Sequence, residues 1–570
     1  MSTYPKYNDK KFNRKVYGIF KKHKSSNIHK TFKEVCYPKE FNLQPQQLFM
    51  PSFIAPNTPY RNILLFHGIG SGKTCTAIRI CEKWKNRKKI IVVLPSSLIN
   101  NFKDEIISQC TNNEYVTPDQ HKQLKNGNLN KHVINTIYDK INKYYTIYSY
   151  NKFTQLISNR KINLKNTLLV IDEIQNMVSE HGSYYKLLYN LIKKNTSGLI
   201  TVLLSATPMF DKPSEISLII NLLNPKINMP IGTDFNNTFI SSKLINGKYK
   251  YNINNEKMFR DMIRGFISHY NGAPKFTYPK KNLKYVHCYM SDYQYKYYEK
   301  VNIINADSEN NGMLYSNRIF KNGDYIDIPN NFYIGARIVS NIVFPGIGIG
   351  DKGFKTMFRG KSNLSKLGKF SSKFYKLLKY VKSSNGTVFI YSNFTQYGGL
   401  KTIATLLECI GYKNFAKHGI GKKRYAIWSG DESNTYKNRI KTVFNDILNL
   451  KGNMLKIILG SLAIKEGVTL LRVRDVHIME PYWNFSRIDQ IVGRAVRFCS
   501  HKELLQKERY VNVYIYIAKT PKYIKRQTID EYVHEIACSK NNLIKSFEKI
   551  LKEESIDCRL NNKDTHIKCK

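Results

Sequence analysis

The sequence predicts an α/β protein with two parallel-sheet domains, a helical insertion between them and short extensions at both ends. A length of 570 residues is too great for one hydrophobic core and corresponds to several domains. Short, continuous apolar runs rich in β-branched residues alternate with helical stretches in two regions, as is typical of strands buried on both faces of a parallel sheet. The runs are NILLF (62–66), IIVVL (90–94), TLLVI (167–171) and ITVLL (200–204), then TVFIYS (387–392), LKIILGS (455–461), VHIME (476–480) and VNVYIYIA (511–518).

Changes of pattern along the chain set the predicted domain boundaries. The insertion begins in an Asn- and Lys-rich stretch, contains a predicted helix in MSDYQYKYYEKVNIINA and reaches a glycine-rich loop. Apolar residues at helical spacing near the C-terminus predict packing on the second domain, with docking on a polymerase as the alternative. We assign 1–40 to a basic N-terminal arm, 41–225 to the first domain, 226–365 to the insertion and linker, 366–520 to the second domain and 521–570 to a charged helical extension.

The charge balance is the most unusual property of the composition. Lys and Arg total 91 against 42 acidic residues, a formal net charge of +49. A globular protein this basic usually binds a polyanion, and nucleic acid is the first expectation. An abundance of Lys, Asn, Ile and Tyr, which AT-rich genomes favour, is a second and compatible source of the charge. The sequence contains no long apolar run, so we expect neither a signal peptide nor a membrane span.

The cysteines show no ligand-like spacing. Ten cysteines are scattered along the chain, and none forms a C-x-x-C pair. This distribution is unlike a zinc site or a compact disulfide framework. We therefore expect reduced cysteines in an intracellular protein.

A glycine-rich loop follows the first apolar run directly, in the sequence HGIGSGKTCTAIRI. Its glycines permit a tight turn whose N–H groups, with the following helix N-terminus, form an anion cradle. Lys73 adds a charge for the β- and γ-phosphates of ATP, and Thr74 a hydroxyl for Mg²⁺. His67 occupies a position where the full pattern has glycine, and a chance glycine-rich turn is the alternative. The predicted nucleotide-binding residues are His67, Gly68, Ile69, Gly70, Ser71, Gly72, Lys73 and Thr74.

An acidic pair follows a later strand, in TLLVIDEIQNM. A strand end aimed at the phosphates can hold Mg²⁺ with Asp172 and polarise water with Glu173. An ordinary helix cap is the alternative. The predicted box comprises Asp172, Glu173, Ile174 and Gln175.

The order of the motifs resembles that of superfamily 2 helicases and translocases. LQPQQ (43–47) is similar to the adenine-reading element, with Gln47 as the reader, and LPSSLINNFKDEI (94–106) to the motif after the second strand of chromatin-remodelling translocases. DEIQ resembles the D-E-x-H/Q box, and GSLAIKEGVTL (460–470) a second-domain motif that contacts nucleotide and strand. LLSATPMFDKPSEI (203–216) contains the S-A-T coupling motif at Ser205, Ala206 and Thr207, and QIVGRAVRFCSH (490–501) contains Q-x-x-G-R-x-x-R at Gln490, Gly493, Arg494 and Arg497.

The resemblance implies two tandem RecA-like domains that hydrolyse ATP with Mg²⁺. Arg497 would be the finger on the γ-phosphate and Arg494 its partner. Tyr148 and Tyr150 in YTIYSY would either stack on bases or belong to a core strand. The implied catalytic residues are Lys73, Asp172, Glu173, Gln490, Arg494 and Arg497. Gly467 is implied at the nucleotide, and Pro95, Ser96, Gly460, Ser461 and Thr469 on nucleic-acid phosphates.

A narrower resemblance is to the transcription ATPases of poxviruses and other large cytoplasmic DNA viruses. It rests on ARIVSNIVFP (336–345), EPYWNFSRIDQIVGRAVR (480–497) and SIDC (555–558). The resemblance does not distinguish between two members of this family, the nucleoside triphosphatase of transcript termination and the small subunit of the early transcription factor. Resemblance to either protein implies DNA as the track, with RNA as an alternative. It also implies a viral RNA polymerase or a larger transcription factor subunit as partner and no association with a membrane. The implied location is the host cytoplasm and the virion. A stand-alone helicase and a promoter-binding subunit with secondary ATPase activity are the competing hypotheses.

Overall fold

The protein is described by a computed structural model covering residues 4–24, 31–125, 131–180, 182–246, 248–308, 320–321, 324–325, 333–346, 350–359, 362–465, 468–561 and 567–570. The chain folds into two compact units. The first contains 1–273, 320–325 and 542–570, and the second contains 274–319 and 326–541. Within the described part, no helix is both long enough and apolar enough to cross a bilayer.

The first unit is built on a parallel sheet. Six of the strands described in it follow the order β3–β2–β4–β5–β1–β8, and every neighbouring pair is parallel. The four apolar runs predicted as strands are confirmed as β1, β2, β4 and β5, while β6 and β7 form a separate antiparallel hairpin. The strands are β1 (Asn62–His67), β2 (Lys89–Leu94), β3 (Tyr145–Ser149), β4 (Thr167–Ile171), β5 (Ile200–Ser205), β6 (Ile240–Ile245), β7 (Lys248–Ile253) and β8 (Ile267–Tyr270).

Helices pack around this sheet, and two of them, α1 (Phe12–Phe20) and α2 (Phe32–Cys36), come from the segment predicted as an N-terminal arm. In α1, the Phe12 and Val16 side chains are fully buried with the strand residues Ile63 and Leu65 in one hydrophobic core. Residues spaced by four lie on one face of a helix, which explains how a basic segment contributes to a core. The helices are α1 (Phe12–Phe20), α2 (Phe32–Cys36), α3 (Pro45–Phe53), α4 (Lys73–Trp84), α5 (Ile99–Ile106), α6 (Pro118–Lys125), α7 (Lys131–Asn142), α8 (Tyr150–Ser158), α9 (Ser183–Lys194), α10 (Glu215–Leu223), α11 (Gly232–Phe239) and α12 (Glu256–Ile263).

The second unit has its own parallel sheet, in the order β13–β14–β15–β12–β16–β17–β9. The four predicted strands of this region are confirmed as β12, β15, β16 and β17, so the α/β class with two parallel sheets is correct. A short antiparallel pair, β10 and β11, belongs to the first unit. The strands are β9 (Lys280–Tyr289), β10 (Phe320–Lys321), β11 (Asp324–Tyr325), β12 (Thr387–Tyr391), β13 (Lys413–Asn414), β14 (Arg424–Trp428), β15 (Ile457–Gly460), β16 (Val473–Ile478) and β17 (Tyr510–Lys519).

The remaining helices include the one predicted in the insertion, confirmed as α13. The long helix α23 begins in the second unit, but from Asn542 onward the chain belongs to the first unit, whereas the sequence predicted packing on the second domain. The helices are α13 (Asp292–Ser308), α14 (Ile334–Asn341), α15 (Asp351–Phe358), α16 (Ser362–Ser365), α17 (Leu367–Phe370), α18 (Ser372–Ser383), α19 (Leu400–Cys409), α20 (Phe415–His418), α21 (Asn434–Phe444), α22 (Phe485–Val492), α23 (Ile529–Glu553) and α24 (Cys558–Asn561).

Two disulfides contradict the prediction of reduced cysteines. Cys75 on α4 is bonded to Cys110, with Cα atoms 5.8 Å apart, and Cys558 is bonded to Cys569, with Cα atoms 5.6 Å apart. The first pair is separated by 35 residues. Packing of α4 against the turn that follows α5 brings its two partners together, and such proximity is not visible in cysteine spacing.

Candidate ATP-hydrolysis site

Three neighbouring strands of the first sheet end in the predicted motifs. β5 lies between β1 and β4, and all three run in the same direction. Their carboxyl ends therefore share one edge of the sheet, which is where open α/β sheets bind ligands. The phosphate loop follows β1, the acidic box follows β4 and the S-A-T motif begins at the end of β5.

The phosphate loop has the conformation that its glycines permit. Gly70 and Gly72 have φ values of 75° and 74°, in the left-handed region, and α4 begins at Lys73 directly after Gly72. A Cβ atom at Gly72 would lie 2.4 Å from Nε2 of Gln47. The backbone conformation favours glycine there, and a side chain would also have to displace the amide end of Gln47. Of the other predicted loop residues, His67 is fully buried, Ser71 is buried and Ile69 is 36% exposed.

Lys73 lies beside both carboxylates of the acidic box. Its Nζ is 4.0 Å from Oδ1 of Asp172 and 3.6 Å from Oε1 of Glu173. Burial raises the pKa of Asp172 to about 6, an effect that Lys73 opposes and the charge of Glu173 reinforces. The single positive charge of Lys73 does not neutralise the two carboxylates of Asp172 and Glu173, and this arrangement favours a further cation at the site.

A chain of side chains joins the acidic box to the S-A-T motif. Nε2 of Gln175 donates to Oε2 of Glu173 at 2.6 Å, and the hydroxyl of Ser205 donates to Oε1 of Gln175 at 2.6 Å. The Ser205 oxygen in turn accepts from the backbone N–H of Thr207 at 3.0 Å. Glu173, Gln175 and Ser205 are thus joined by a continuous series of hydrogen bonds that ends at the backbone of Thr207.

The side chain of Tyr150 is hydrogen-bonded to the backbone of the acidic box. Tyr150 is the first residue of α8, and its hydroxyl donates to the carbonyl oxygens of Asp172 and of Glu173, the latter at 3.0 Å. Glu173 has a φ of 51°, an uncommon conformation for a residue with a side chain, and these bonds help to stabilise it. Tyr148 lies within β3, as the core-strand alternative predicted. The sequence predicted that Tyr150 would either stack on bases or belong to a core strand, and no local pattern indicated this contact.

Two consecutive glutamines of α3 reach the phosphate loop. Nε2 of Gln47, the predicted adenine reader, is 3.3 Å from the carbonyl oxygen of Gly72, and its Oε1 accepts from the N–H of Gln44 at 2.7 Å. Gln46 was not predicted, yet its Nε2 donates to the carbonyl oxygen of Ser71 at 2.7 Å. The element that resembles an adenine reader therefore also braces the loop.

The residues of this site fit ATP with Mg²⁺. A buried carboxylate from Asp172 and a hydroxyl from Thr74, the second residue of α4, are hard oxygen ligands of the kind that Mg²⁺ prefers. The Oγ of Ser71 is buried without a hydrogen-bond partner among the described residues, so the loop retains polar capacity for a ligand. Asp172 and Thr74 would hold Mg²⁺ there, and the ion would supply positive charge against the negative charge that develops during phosphoryl transfer.

The second unit contains the predicted arginine motif. Nε of Arg494 donates to the carbonyl oxygen of Gln490 at 3.2 Å, and Nε of Arg497 to that of Gly493 at 2.9 Å. The carbonyl oxygen of Arg494 also accepts from the N–H of Leu470 at 2.9 Å. The arginine motif is thereby hydrogen-bonded to the last residue of the GSLAIKEGVTL segment.

The predicted nucleic-acid contacts are distributed over both units. In the first unit, Pro95 is buried and Ser96 is exposed at the start of a short 3₁₀ turn after β2. In the second unit, Gly460 ends β15 and Ser461 is bonded through its N–H to the carbonyl oxygen of Trp428 at 3.1 Å. Thr469 accepts from Nδ2 of Asn445 at 2.8 Å through its carbonyl oxygen. Gly467 lies outside the described residues.

Comparisons with known proteins agree with this architecture. A family model described as the SNF2-related domain matches residues 23–325, and one described as the helicase conserved C-terminal domain matches residues 372–499. A putative ATP-dependent RNA helicase of Acanthamoeba polyphaga mimivirus is 43% identical over 98% of this chain and 96% of its own length. A termination factor NPH-I homolog of African swine fever virus is 25% identical over 89% of this chain and 78% of its own length.

Among solved structures, the SWI2/SNF2 ATPase core of Sulfolobus solfataricus in complex with dsDNA has 15% identity and a TM-score of 0.32, over 92% of this chain and 97% of that chain. The SNF2-related model alone spans more than half of the chain. The motifs, the two parallel sheets, the two family models and the viral relatives lead to one conclusion. The chain belongs to the superfamily 2 helicases and translocases of large DNA viruses and is a nucleic-acid-dependent ATP hydrolase.

Proposed function

We propose that the protein uses ATP to move along DNA during viral transcription, in initiation or in termination. The observation that carries the motor function is the continuous connection from Lys73 through Glu173 and Gln175 to Ser205. A phosphate-binding enzyme without a motor function has no need of such a link, because nothing outside the site has to respond to the γ-phosphate.

The proposed chemistry assigns one task to each group. Lys73 holds the β- and γ-phosphates, Thr74 and Asp172 hold Mg²⁺, and Glu173 polarises the attacking water. Arg497, assisted by Arg494, stabilises the charge that develops on the γ-phosphate, an effect of about 10³–10⁵ in rate where it has been measured. Gln47 reads adenine.

The proposed track and partners follow from charge and from the relatives. A net charge of +49 favours a polyanionic track, bound through phosphates by Pro95, Ser96, Gly460, Ser461 and Thr469. The relative named as a termination factor favours a role beside a viral RNA polymerase or a larger transcription factor subunit. This role would place the protein in the viral factory of the host cytoplasm and in the virion.

One titration tests the track. The rate of ATP hydrolysis by the full-length protein is measured against single-stranded DNA, duplex DNA and RNA at several salt concentrations. Stimulation of several-fold by DNA, falling steeply with salt, is expected. Equal rates with and without any nucleic acid would remove the motor function.

A second pair of assays separates translocation from unwinding. Displacement of a third strand from a triplex without unwinding of a duplex is the expected result. Robust unwinding of RNA or DNA by the protein alone would instead favour a stand-alone helicase. That alternative is supported by the name of the mimivirus relative, a putative ATP-dependent RNA helicase.

A further inference from the structure

A buried hydrogen-bond chain in the first unit joins the C-terminal segment to the start of the phosphate loop. Oδ2 of Asp557 lies 2.7 Å from Oγ of Ser268, and that oxygen lies 2.9 Å from Nε2 of His67. All three side chains have no solvent exposure. The three residues are separated by 201 and 289 positions in sequence. His67 is the residue that departs from the expected glycine, and Asp557 belongs to the SIDC sequence, so the chain connects two features that the motifs leave unexplained.

The backbone holds this chain in place through β8. The N–H of Ile556 donates to the carbonyl oxygen of Ile267 at 2.9 Å, and the N–H of His269 donates to Oδ1 of Asp557 at 2.8 Å. On its other side β8 is paired with β1, and the N–H of Gly68 donates to the carbonyl oxygen of Tyr270 at 2.9 Å. One short strand therefore lies between the C-terminal segment and the first residues of the loop.

The polarity of the chain follows from the donors and acceptors available. An ionised Asp557 can only accept, so the single hydroxyl proton of Ser268 is donated to it. The Ser268 oxygen then accepts from His67, which must carry its proton on Nε2. Nδ1 of His67 is left as a buried lone pair with no hydrogen-bond partner among the described residues. Burial, together with the charges of His269 and Lys73, lowers the pKa of His67 well below its usual range, so the ring is neutral.

We propose that Asp557 is a positioning residue for ATP hydrolysis, which acts through Ser268 to fix the orientation and tautomer of His67 where β1 becomes the phosphate loop. The proposal rests on the assignment of Lys73 and its loop to the nucleotide phosphates. His67 is the last residue of β1 and directly precedes Gly68, so the orientation of its ring bears on where the phosphate loop begins.

The hydrogen-bond chain from Asp557 to His67 is not needed to hold the C-terminal segment on the first unit, because other contacts do so. Nη2 of Arg260 on α12 lies 2.5 Å from Oε2 of Glu553, and its Nη1 lies 3.3 Å from Oε1 of Glu554. Ile556 and Leu560 are buried in the main hydrophobic core. These independent anchors make it possible to break the chain without releasing the segment.

Three variants of the full-length protein test the proposal. Ser268→Ala removes the central hydroxyl. Asp557→Asn reverses the chain, because its carbonyl must still accept from the N–H of His269 and its NH₂ then donates to Ser268. Asn561, whose Oδ1 is buried without a partner, can rotate its amide to accept from the new NH₂. Glu553→Gln is the matched control, since it weakens an anchor of the same segment without touching the chain.

The readouts are the kinetics of ATP hydrolysis and the ¹⁵N chemical shifts of selectively labelled histidine, with His67→Gln used for assignment. Ser268→Ala is expected to raise KM for ATP by roughly fivefold, as for the loss of about one hydrogen bond, with kcat little changed. Asp557→Asn is expected to raise KM through the changed tautomer of His67. In Asp557→Asn the proton of His67 moves from Nε2 to Nδ1, while Glu553→Gln matches wild type in both measurements.

Two results would overturn the proposal: a wild-type KM in Ser268→Ala, or an unchanged His67 tautomer in Asp557→Asn. An equal rise of KM in Glu553→Gln would assign the effect to docking and would also contradict it. Lys73→Ala, measured in parallel, separates this outcome from failure of the phosphate-site assignment. Loss of turnover in that variant beside normal kinetics in the other two would reject only the role of Asp557.

Discussion

The hydroxyl of Ser205 donates a 2.6 Å hydrogen bond to the side-chain oxygen of Gln175. The same amide holds the carboxylate of Glu173 through its nitrogen at 2.6 Å. Ser205 ends β5, while Glu173 and Gln175 follow β4, so this contact connects two strand ends rather than two neighbours in sequence. The S-A-T segment is therefore connected directly to the carboxylate that we propose polarises water.

Ser205→Ala should uncouple hydrolysis from movement. The side chain of Gln175 loses its anchor, so Glu173 remains present but no longer responds to the S-A-T segment. ATP hydrolysis without nucleic acid should stay within a few-fold of wild type, whereas stimulation by DNA and triplex displacement should fall by roughly tenfold, as for the loss of a well-placed hydrogen bond. Ser217→Ala is the control, because the Ser217 hydroxyl is buried without a hydrogen-bond partner among the described residues. Normal stimulation in Ser205→Ala would show that the contact is structural.

Lys73→Ala should abolish turnover while leaving DNA binding at low salt. The substitution removes the ammonium group that lies beside Asp172 and Glu173 and would hold the phosphates. Lys83→Ala, at an exposed position near the end of the same helix, removes an equal charge away from the site and should be nearly silent. Steady-state hydrolysis and filter binding of labelled DNA are the measurements. Wild-type hydrolysis in Lys73→Ala would refute the central site assignment.

Arg497→Lys should lower kcat by about 10³ with little change in KM, because a lysine keeps the charge but not the planar fork of donors. Arg509→Lys is a suitable comparison. The Nε of Arg509 also donates to a backbone carbonyl oxygen, that of Leu504 at 3.0 Å, but the residue lies outside the motif. Single-turnover kinetics at saturating ATP measure the chemical step directly. Equal effects of the two substitutions would indicate that Arg497 has a structural function alone.

The stability of the second unit should decrease as the pH falls below about 6.5, the usual pKa of an unfolded histidine. His477 has no solvent exposure, shares a 2.9 Å hydrogen bond with the Tyr516 hydroxyl, and has a pKa that burial lowers to about 3. The unfolded chain therefore binds a proton that the folded chain excludes. Stability is fully present above pH 6.5 and is lost towards pH 3, by up to about 1.4 kcal/mol per pH unit.

His477→Gln removes this titration. Wild type should be the more stable protein at pH 7.5, and its advantage should shrink as the pH is lowered to 5, as followed by thermal unfolding. His418→Gln, at an exposed position, should keep a constant difference from wild type over the same range. A difference between wild type and His477→Gln that does not change with pH would show that His477 does not titrate as expected.

Local sequence was sufficient for the features whose physical cause is local. Eight continuous apolar runs predicted eight strands, because burial on both faces of a parallel sheet requires apolar residues at every position. The phosphate loop could also be predicted from local sequence, since the left-handed conformations at Gly70 and Gly72 need glycine at those positions. Among the strands without a continuous apolar run, β9 was missed. Most residues of β9 are exposed or half-exposed at the sheet edge, so KKNLKYVHCY carries no such signal.

Contacts between distant residues were settled by folding alone. Nothing near Asp557 in sequence indicates Ser268 or His67, and nothing near Cys75 indicates Cys110, because each pair meets only after strands and helices have packed. The same holds for the Tyr150 hydroxyl beneath the acidic box. A hydrogen bond depends on positions in space to within a few tenths of an ångström, and sequence spacing defines such positions only within one loop or one helical turn. The motifs thus identified the ATP-hydrolysing chemistry, while the packed fold showed which residues hold it in place.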